Sequence, residues 1–179
     1  MRPIFFTDMD DVLAVSQQFT SYQVIQAFKL NDLDYPELWD GLVLPEARDN
    51  LRALHEEFWP QYVVSSSWSN YMSREQMQEV FRRTGMDFVA DNFHKHWTTP
   101  KGTGSARVTE IDNWMRKHLQ RKQAALVLDD HESGWNLHES HLDKAGLVVL
   151  CDPYVGLVRE KYLDAQRLLR AQIGPASVA

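Results

Sequence analysis

The chain has 179 residues, 44% of them hydrophobic, which suits one globular domain with a sizeable buried core. Its formal net charge of −6 lacks the electrostatic footprint of a protein held stably on nucleic acid, although a local patch could still meet a phosphate group. Its one cysteine, Cys151, excludes an internal disulfide, and no apolar stretch is long enough to span a membrane.

Ile4–Thr7 reads as a buried strand that runs into Asp8 and Asp10 before the chain turns apolar again at Val12 and Leu13. Asp8 comes too early for a signal peptide, so a cytoplasmic protein without a membrane partner is expected. Residues i and i+2 of an extended segment point the same way. Asp8 and Asp10 would then share one small volume, which demands a cation or a retained proton. Residues 14–43 read as irregular. Pro45 suits a first helical turn, and Ala47, Leu51, Leu54 and Phe58 follow on one face until Pro60 ends the helix.

Residues 62–66 read as a second buried strand. Ser73 and Gln76 have capping-box spacing, with Met77, Val80 and Phe81 on the apolar face and Gly85 closing that helix. Phe88-Val89 reads as a short third strand. Ser105 is positioned to cap a helix whose inner face is Val108, Ile111 and Met115, with Trp114 beside it. Residues 124–128 form a fourth strand leading into Asp129-Asp130, and residues 147–150 a fifth. Val158, Tyr162, Ala165 and Leu169 line a final helix, and residues 174–179 read as a frayed tail. Apolar strands joined by helices predict a parallel sheet covered on both faces.

An acidic pair after one strand is equally well explained by a turn or helix cap. The order of features is more specific: an acidic pair, then Ser65-Ser66-Ser67, then a basic helix start, then a second acidic pair. With Val63-Val64-Ser65-Ser66-Ser67-Trp68, Arg107-Val108-Thr109-Glu110 and Asp152-Pro153-Tyr154, this order resembles the haloacid dehalogenase (HAD) superfamily. The nearer likeness is to its branch of HAD domains from Swiss Army Knife RNA repair proteins. Asp11 departs from the glycine common at that place, but aspartate tolerates left-handed turns.

The resemblance implies an α/β, HAD-like Rossmannoid three-layer sandwich with strand order 5-4-1-2-3. It also implies a single domain over residues 1–173, with 14–43 as a small cap-like insertion. The implied activity is a Mg²⁺-dependent phosphohydrolase acting through an aspartyl-phosphate, with nucleotides or nucleic-acid phosphate ends as candidate substrates. Residue chemistry agrees with this. A carboxylate can attack phosphorus and divide one hard displacement into two, which is the role expected of Asp8. Asp10 would serve as general acid and then base. Mg²⁺ takes oxygen ligands, here Asp8, the backbone carbonyl of Asp10 and Asp129, with Asp130 binding through water or orienting the others.

Ser66, with Ser65 next, is expected to hold the transferring phosphoryl group, and Trp68 either lies against substrate, stacked on a base or sugar, or packs beneath the sheet edge, the commoner place for such a ring. Arg107, or Lys101 in the preceding loop, would supply the fixed cation. Gly102 and Gly104 do not form a dinucleotide fingerprint. His94, His96, His131, His138 and His141 lack a zinc spacing. The basic residues of the run 116–122 favour a helix C-terminus in any case. A receiver-like signalling domain would carry its phosphoacceptor on a later strand. The main alternative is a catalytically silent module that binds phosphate-bearing ligands or a protein.

Overall fold

Alternate residues of the apolar runs enter two separate cores, one on each face of a sheet. The computed structural model describes residues 1–100 and 106–174. In strand β1 (Ile4–Thr7), Ile4 and Phe6 join one core while Phe5 joins the other. Strand β4 (Ala125–Asp130) divides in the same way, Ala125 and Val127 opposite Leu126 and Leu128. Strands buried on both faces need unbroken apolar sequence, so the polar–apolar alternation of a half-exposed strand is missing.

β1 pairs in parallel with β4 and with β2 (Gln61–Val64). Outside these lie β3 (Phe93–Thr98) beside β2 and β5 (Val148–Cys151) beside β4, also parallel. The five-stranded order is β3-β2-β1-β4-β5, as the resemblance implied. The carboxyl end of β1 is therefore flanked by those of β2 and β4, the crevice where open α/β sheets bind ligands.

Helices α1 (Ser21–Leu30), α2 (Pro36–Leu42), α3 (Pro45–Phe58), α4 (Arg74–Arg83) and α5 (Asp87–Ala90) all feed the larger core. On the opposite face, α6 (Arg107–His118) and α7 (His141–Lys144) bury Ile111, Trp114 and Leu142. α8 (Arg159–Ile173) returns to the larger core through Ala165 and Leu169. Among the described residues, no helix is long and apolar enough to cross a membrane.

Most expected helices form for the expected reasons. Pro45 opens α3, and the Ser73–Gln76 capping box opens α4 in both directions. Three expectations are corrected. Residues 14–43 are not irregular: Thr20 and Gln23 form a second capping box that starts α1, left-handed Asn31 ends it, and Pro36 starts α2. Phe88-Val89 lies in α5, and the third strand follows at Phe93, because Asn92 delivers the chain to β2 through the Tyr62 N–H. Trp114 is a core residue of α6, whereas Val108 and Met115 pack only in part. The expected roles of Lys101, Gly102, Gly104 and Ser105, and the tail at 175–179, lie outside the described residues.

Candidate active site

β1 stops being apolar at its carboxyl end, although Asp8 is as fully buried as the strand body. The Asp8 N–H still pairs with Leu128 O at 2.9 Å, and Ser65 N–H with Thr7 O at 3.0 Å, so β1 and β2 end level while β4 runs on to Asp130. Beyond Asp8 the chain turns sharply: Leu13 and Ala14 both donate to Met9 O, and Asp11 takes φ +55°. The turn separates the two acids. Asp8 Oδ1 accepts the Met9 N–H at 2.8 Å, while Asp10 Oδ2 accepts the indole N–H of Trp68 at 2.9 Å.

The partners of Asp8 come from β4. Oxygens of Asp8, Asp129 and Asp130 lie within 4.8 Å of one another, and all three residues are buried. Ser133 Oγ sits among them, 2.8 Å from Asp8 Oδ2, 3.0 Å from Asp129 Oδ1, and in contact with Asp130 Oδ2. A hydroxyl has one proton to donate, so it satisfies one carboxylate and faces the other two as a bare oxygen. The turn bearing Ser133 is drawn in by Asp130 Oδ1, which accepts the N–H groups of Glu132 and Ser133. Gly134 is required beside it, because a Cβ there would stand 2.7 Å from Asp130 O and 2.8 Å from Asp129 Oδ1.

Arg107, on the first turn of α6, is the buried cation. It lies 3.4 Å from Asp8 Oδ2 and 3.8 Å from Glu110 through its terminal nitrogens. Its Nε is 2.9 Å from Asp129 Oδ2, yet the N–H is not aimed at that oxygen, so both atoms lack a hydrogen-bond partner. Burial works against the guanidinium charge, but Asp8, Asp129 and Glu110 outweigh it and hold the pKa above its ordinary value. Burial, then the Asp8 charge, push Asp129 well above the usual carboxylate range, against the pull of Arg107 and Ser133. Among the described residues, one guanidinium thus faces three crowded carboxylates, with one buried carboxylate oxygen unsatisfied. An all-oxygen donor set with this charge deficit fits a hard divalent cation.

Residues 4–162 match the family model described as the HAD domain in Swiss Army Knife RNA repair proteins. The chain belongs to that family. No curated protein and no solved structure matches it. Membership of the HAD family indicates a phosphatase or related hydrolase acting on a phosphorylated substrate, and the buried aspartates are its possible metal site.

Within this HAD domain, Asp8, Asp129, Asp130 and Arg107 come together. The Asp10 carboxylate stands apart from that trio, though near enough for the Asp8 charge to act on it. Burial raises the Asp10 pKa to about 6, assisted by Asp8, Asp11 and Asp130 and opposed by the Trp68 hydrogen bond. Ser66 Oγ accepts the Trp68 backbone N–H, whereas the buried Ser65 Oγ has no partner among the described residues. Of the two expectations for Trp68, substrate stacking is corrected and packing holds: it is fully buried, offers no face to a base or sugar, and instead holds Asp10.

Five of the seven histidines fall into two groups, while His141 pairs with Asp112 and His55 with Tyr62. His96 stacks on His118 with centroids 3.9 Å apart and His94 nearby, while His131 lies near His138. Sequence reasoning missed Ser133; its only signal was a Ser-Gly pair one turn beyond the second acidic motif.

Proposed function

We propose that this HAD domain is a Mg²⁺-dependent phosphatase that works through an aspartyl-phosphate on Asp8, with nucleotides or nucleic-acid phosphate ends as candidate substrates. The convergence of Asp8, Asp129 and Asp130 beside Arg107 carries this reading. Asp8, Asp129 and Asp130 would hold Mg²⁺, together with the backbone carbonyl of Asp10. When bound, the ion supplies positive charge that offsets the crowded carboxylates and the phosphoryl oxygens.

The protein's own groups then divide the work. Asp8 attacks phosphorus; its O–P bond forms as the bond to the leaving oxygen breaks, and Asp10 gives that oxygen its proton. Asp10 next takes a proton from water, whose oxygen attacks phosphorus and releases phosphate and the Asp8 carboxylate. A pKa near 6 suits a group that must both give and take a proton close to neutrality. Arg107 and a strand-end hydroxyl hold the phosphoryl oxygens. The unpartnered Ser65 Oγ fits that task better than Ser66, whose hydroxyl caps the turn at Trp68. In this reading residues 1–173 form one domain and 14–43 a small cap-like insertion.

Asp8→Asn tests the proposal. It should lower turnover of an aryl phosphate on the order of 10⁴-fold or more, the scale of losing a nucleophile in other enzymes with covalent intermediates. Its circular dichroism should match the parent. Undiminished activity in the variant refutes the assignment. A Mg²⁺-loaded parent inactive across a broad phosphoester panel would instead favour a silent phosphate-binding module.

A further inference from the structure

A cleft of about 340 Å³ opens between β3 and the last turn of α6, and none of Asp8, Asp129, Asp130 or Arg107 lines it. Its basic wall residues are Lys95 and His96 from β3 and Lys117 and His118 from α6. The two elements are tied together there. Trp114 of α6 donates its indole N–H to His96 O at 2.9 Å, and the His96 and His118 rings stack with centroids 3.9 Å apart and planes 21° apart. Thr99 lies in the same wall. It is fully buried, and its Oγ1 has no hydrogen-bond partner among the described residues.

No acidic group balances these cations among the described residues that line the cleft. The acids of α6, Glu110 and Asp112, meet Arg107 and His141. Those of α4, Glu75 and Glu79, meet Ser73 and Arg83. Arg74 of α4 adds a further cation to the outer side of β3, donating to His94 O and Lys95 O. Burial, and then the charges of His96, Lys117 and Lys95, hold His118 below its ordinary pKa. Cations at a helix C-terminus favour its dipole. That accounts for Lys117 and His118, but not for Lys95 and His96, which belong to a strand.

Like charges gathered beside an unsatisfied buried hydroxyl are stabilised by an anion. We propose that this cleft is a separate oxyanion site, taking a free tetrahedral ion such as inorganic phosphate or sulfate. The lysines supply fixed charge, the rings of His96 and His118 gain N–H donors as they take up protons, and the Thr99 hydroxyl can donate as well. A polymer backbone suits the cleft less, because a net charge of −6 repels an extended polyanion. A transition metal also suits it less. Stacked rings aim their lone pairs side by side rather than at one point, His94 Nδ1 already accepts the His96 N–H, and no third ligand group joins them among the described residues. The site uses none of the groups on which the phosphatase reading depends.

Nuclear magnetic resonance of the histidine rings in the full chain tests this, with sulfate, whose charge stays fixed while histidine titrates between about pH 6 and about pH 8. His96→Gln and His118→Gln assign the two signals. Sulfate should shift both in the parent, with a Kd of about 1 mM or tighter at about pH 6. Affinity should be at least about tenfold weaker at about pH 8, and by reciprocity sulfate should raise the His118 pKa. Inorganic phosphate should compete with it. Lys95→Gln combined with Lys117→Gln should weaken binding by about tenfold or more, and Thr99→Val, which keeps the shape and removes only the unsatisfied hydroxyl, by about fivefold. No shift at either ring, equal affinity at the two pH values, or undiminished affinity in the lysine or threonine variants overturns the proposal. So does a single-stranded oligonucleotide that displaces sulfate at a lower concentration of phosphate groups, which would mark a polymer surface. Zn²⁺ that shifts both rings at micromolar concentration would mark a metal site and overturn it too.

Discussion

The bodies of β1 and β4 and their carboxyl ends are equally buried but opposite in chemistry. Phe5, Phe6, Leu126 and Val127 are fully covered, and so, within 2%, are Asp8, Asp129 and Asp130. Covering a large apolar side chain stabilises the fold by about 1.5–3 kcal/mol. Covering a carboxylate costs several kcal/mol unless it is paired. The strand bodies are satisfied by their neighbours alone, whereas the ends hold three carboxylates against Arg107 and leave Asp129 Oδ2 without a hydrogen bond. Among the described residues, the apolar core thus has to offset a crowded arrangement of charge at the strand ends.

Removing one of the crowded charges breaks this contrast most directly. Asp129→Asn keeps the shape and deletes a fully buried carboxylate whose pKa burial and the Asp8 charge push well up. In chelator the variant should melt higher than the parent, by about 2–4 °C for each 1 kcal/mol of relieved repulsion in a domain of this size. Mg²⁺ should stabilise the parent by about 2.7 kcal/mol at a hundredfold excess over its dissociation constant, and the variant hardly at all. Phosphatase activity should fall with it. A parent whose melting ignores Mg²⁺ would show that the strand ends are not a cation site.

Trp68→Phe probes the boundary between the two regions, because Trp68 is a core side chain that reaches the site through one N–H. The hydrogen bond to the Asp10 carboxylate belongs to the charged class, worth about 1.5–3 kcal/mol. Its loss should lower kcat by about tenfold. The loss should be greater for alkyl than for nitrophenyl phosphates, since a poor leaving group depends more on a well-aimed proton donor. Equal losses for both would mean that Trp68 merely fills space.

The contrast also explains what the sequence could reveal. Strand bodies were legible because burial on both faces forces continuous apolar runs, and their acidic ends broke those runs at Asp8 and Asp129. Arg107 was legible as a cation at a helix start. Ser133 was not, because its position depends on how the turn after Asp130 folds back, and a serine in a polar loop carries no periodic signal. Trp68 stayed open between substrate and core because the same Ser-Trp sequence serves whether the ring turns outward or under the sheet. In 14–43 the Thr20–Gln23 box and Pro36 did mark two helices; their mixed aromatic and polar faces hid the periodicity. Phe88-Val89 is too short a run to separate strand from helix.

Asp10 gives the mildest test, since it is only partly buried and keeps a hydrogen-bond donor. Its pKa is 3.8 in an unfolded chain and about 6 in the folded one. Below 3.8 both states hold the proton and its charge costs nothing. Between those values the unfolded chain releases its proton while the folded one retains it, so stability falls as pH rises, and the full penalty remains above about 6. Asp10→Asn cannot ionise, and its amide oxygen can still accept from Trp68. In chelator its melting advantage over the parent should therefore be absent near pH 3.8, grow toward pH 6 and level off beyond it. With allowance for solvent screening, the plateau should be on the order of 1 kcal/mol. An advantage constant across that range would assign the effect to packing rather than charge, and Asp10 would belong with the strand bodies rather than with the strand ends.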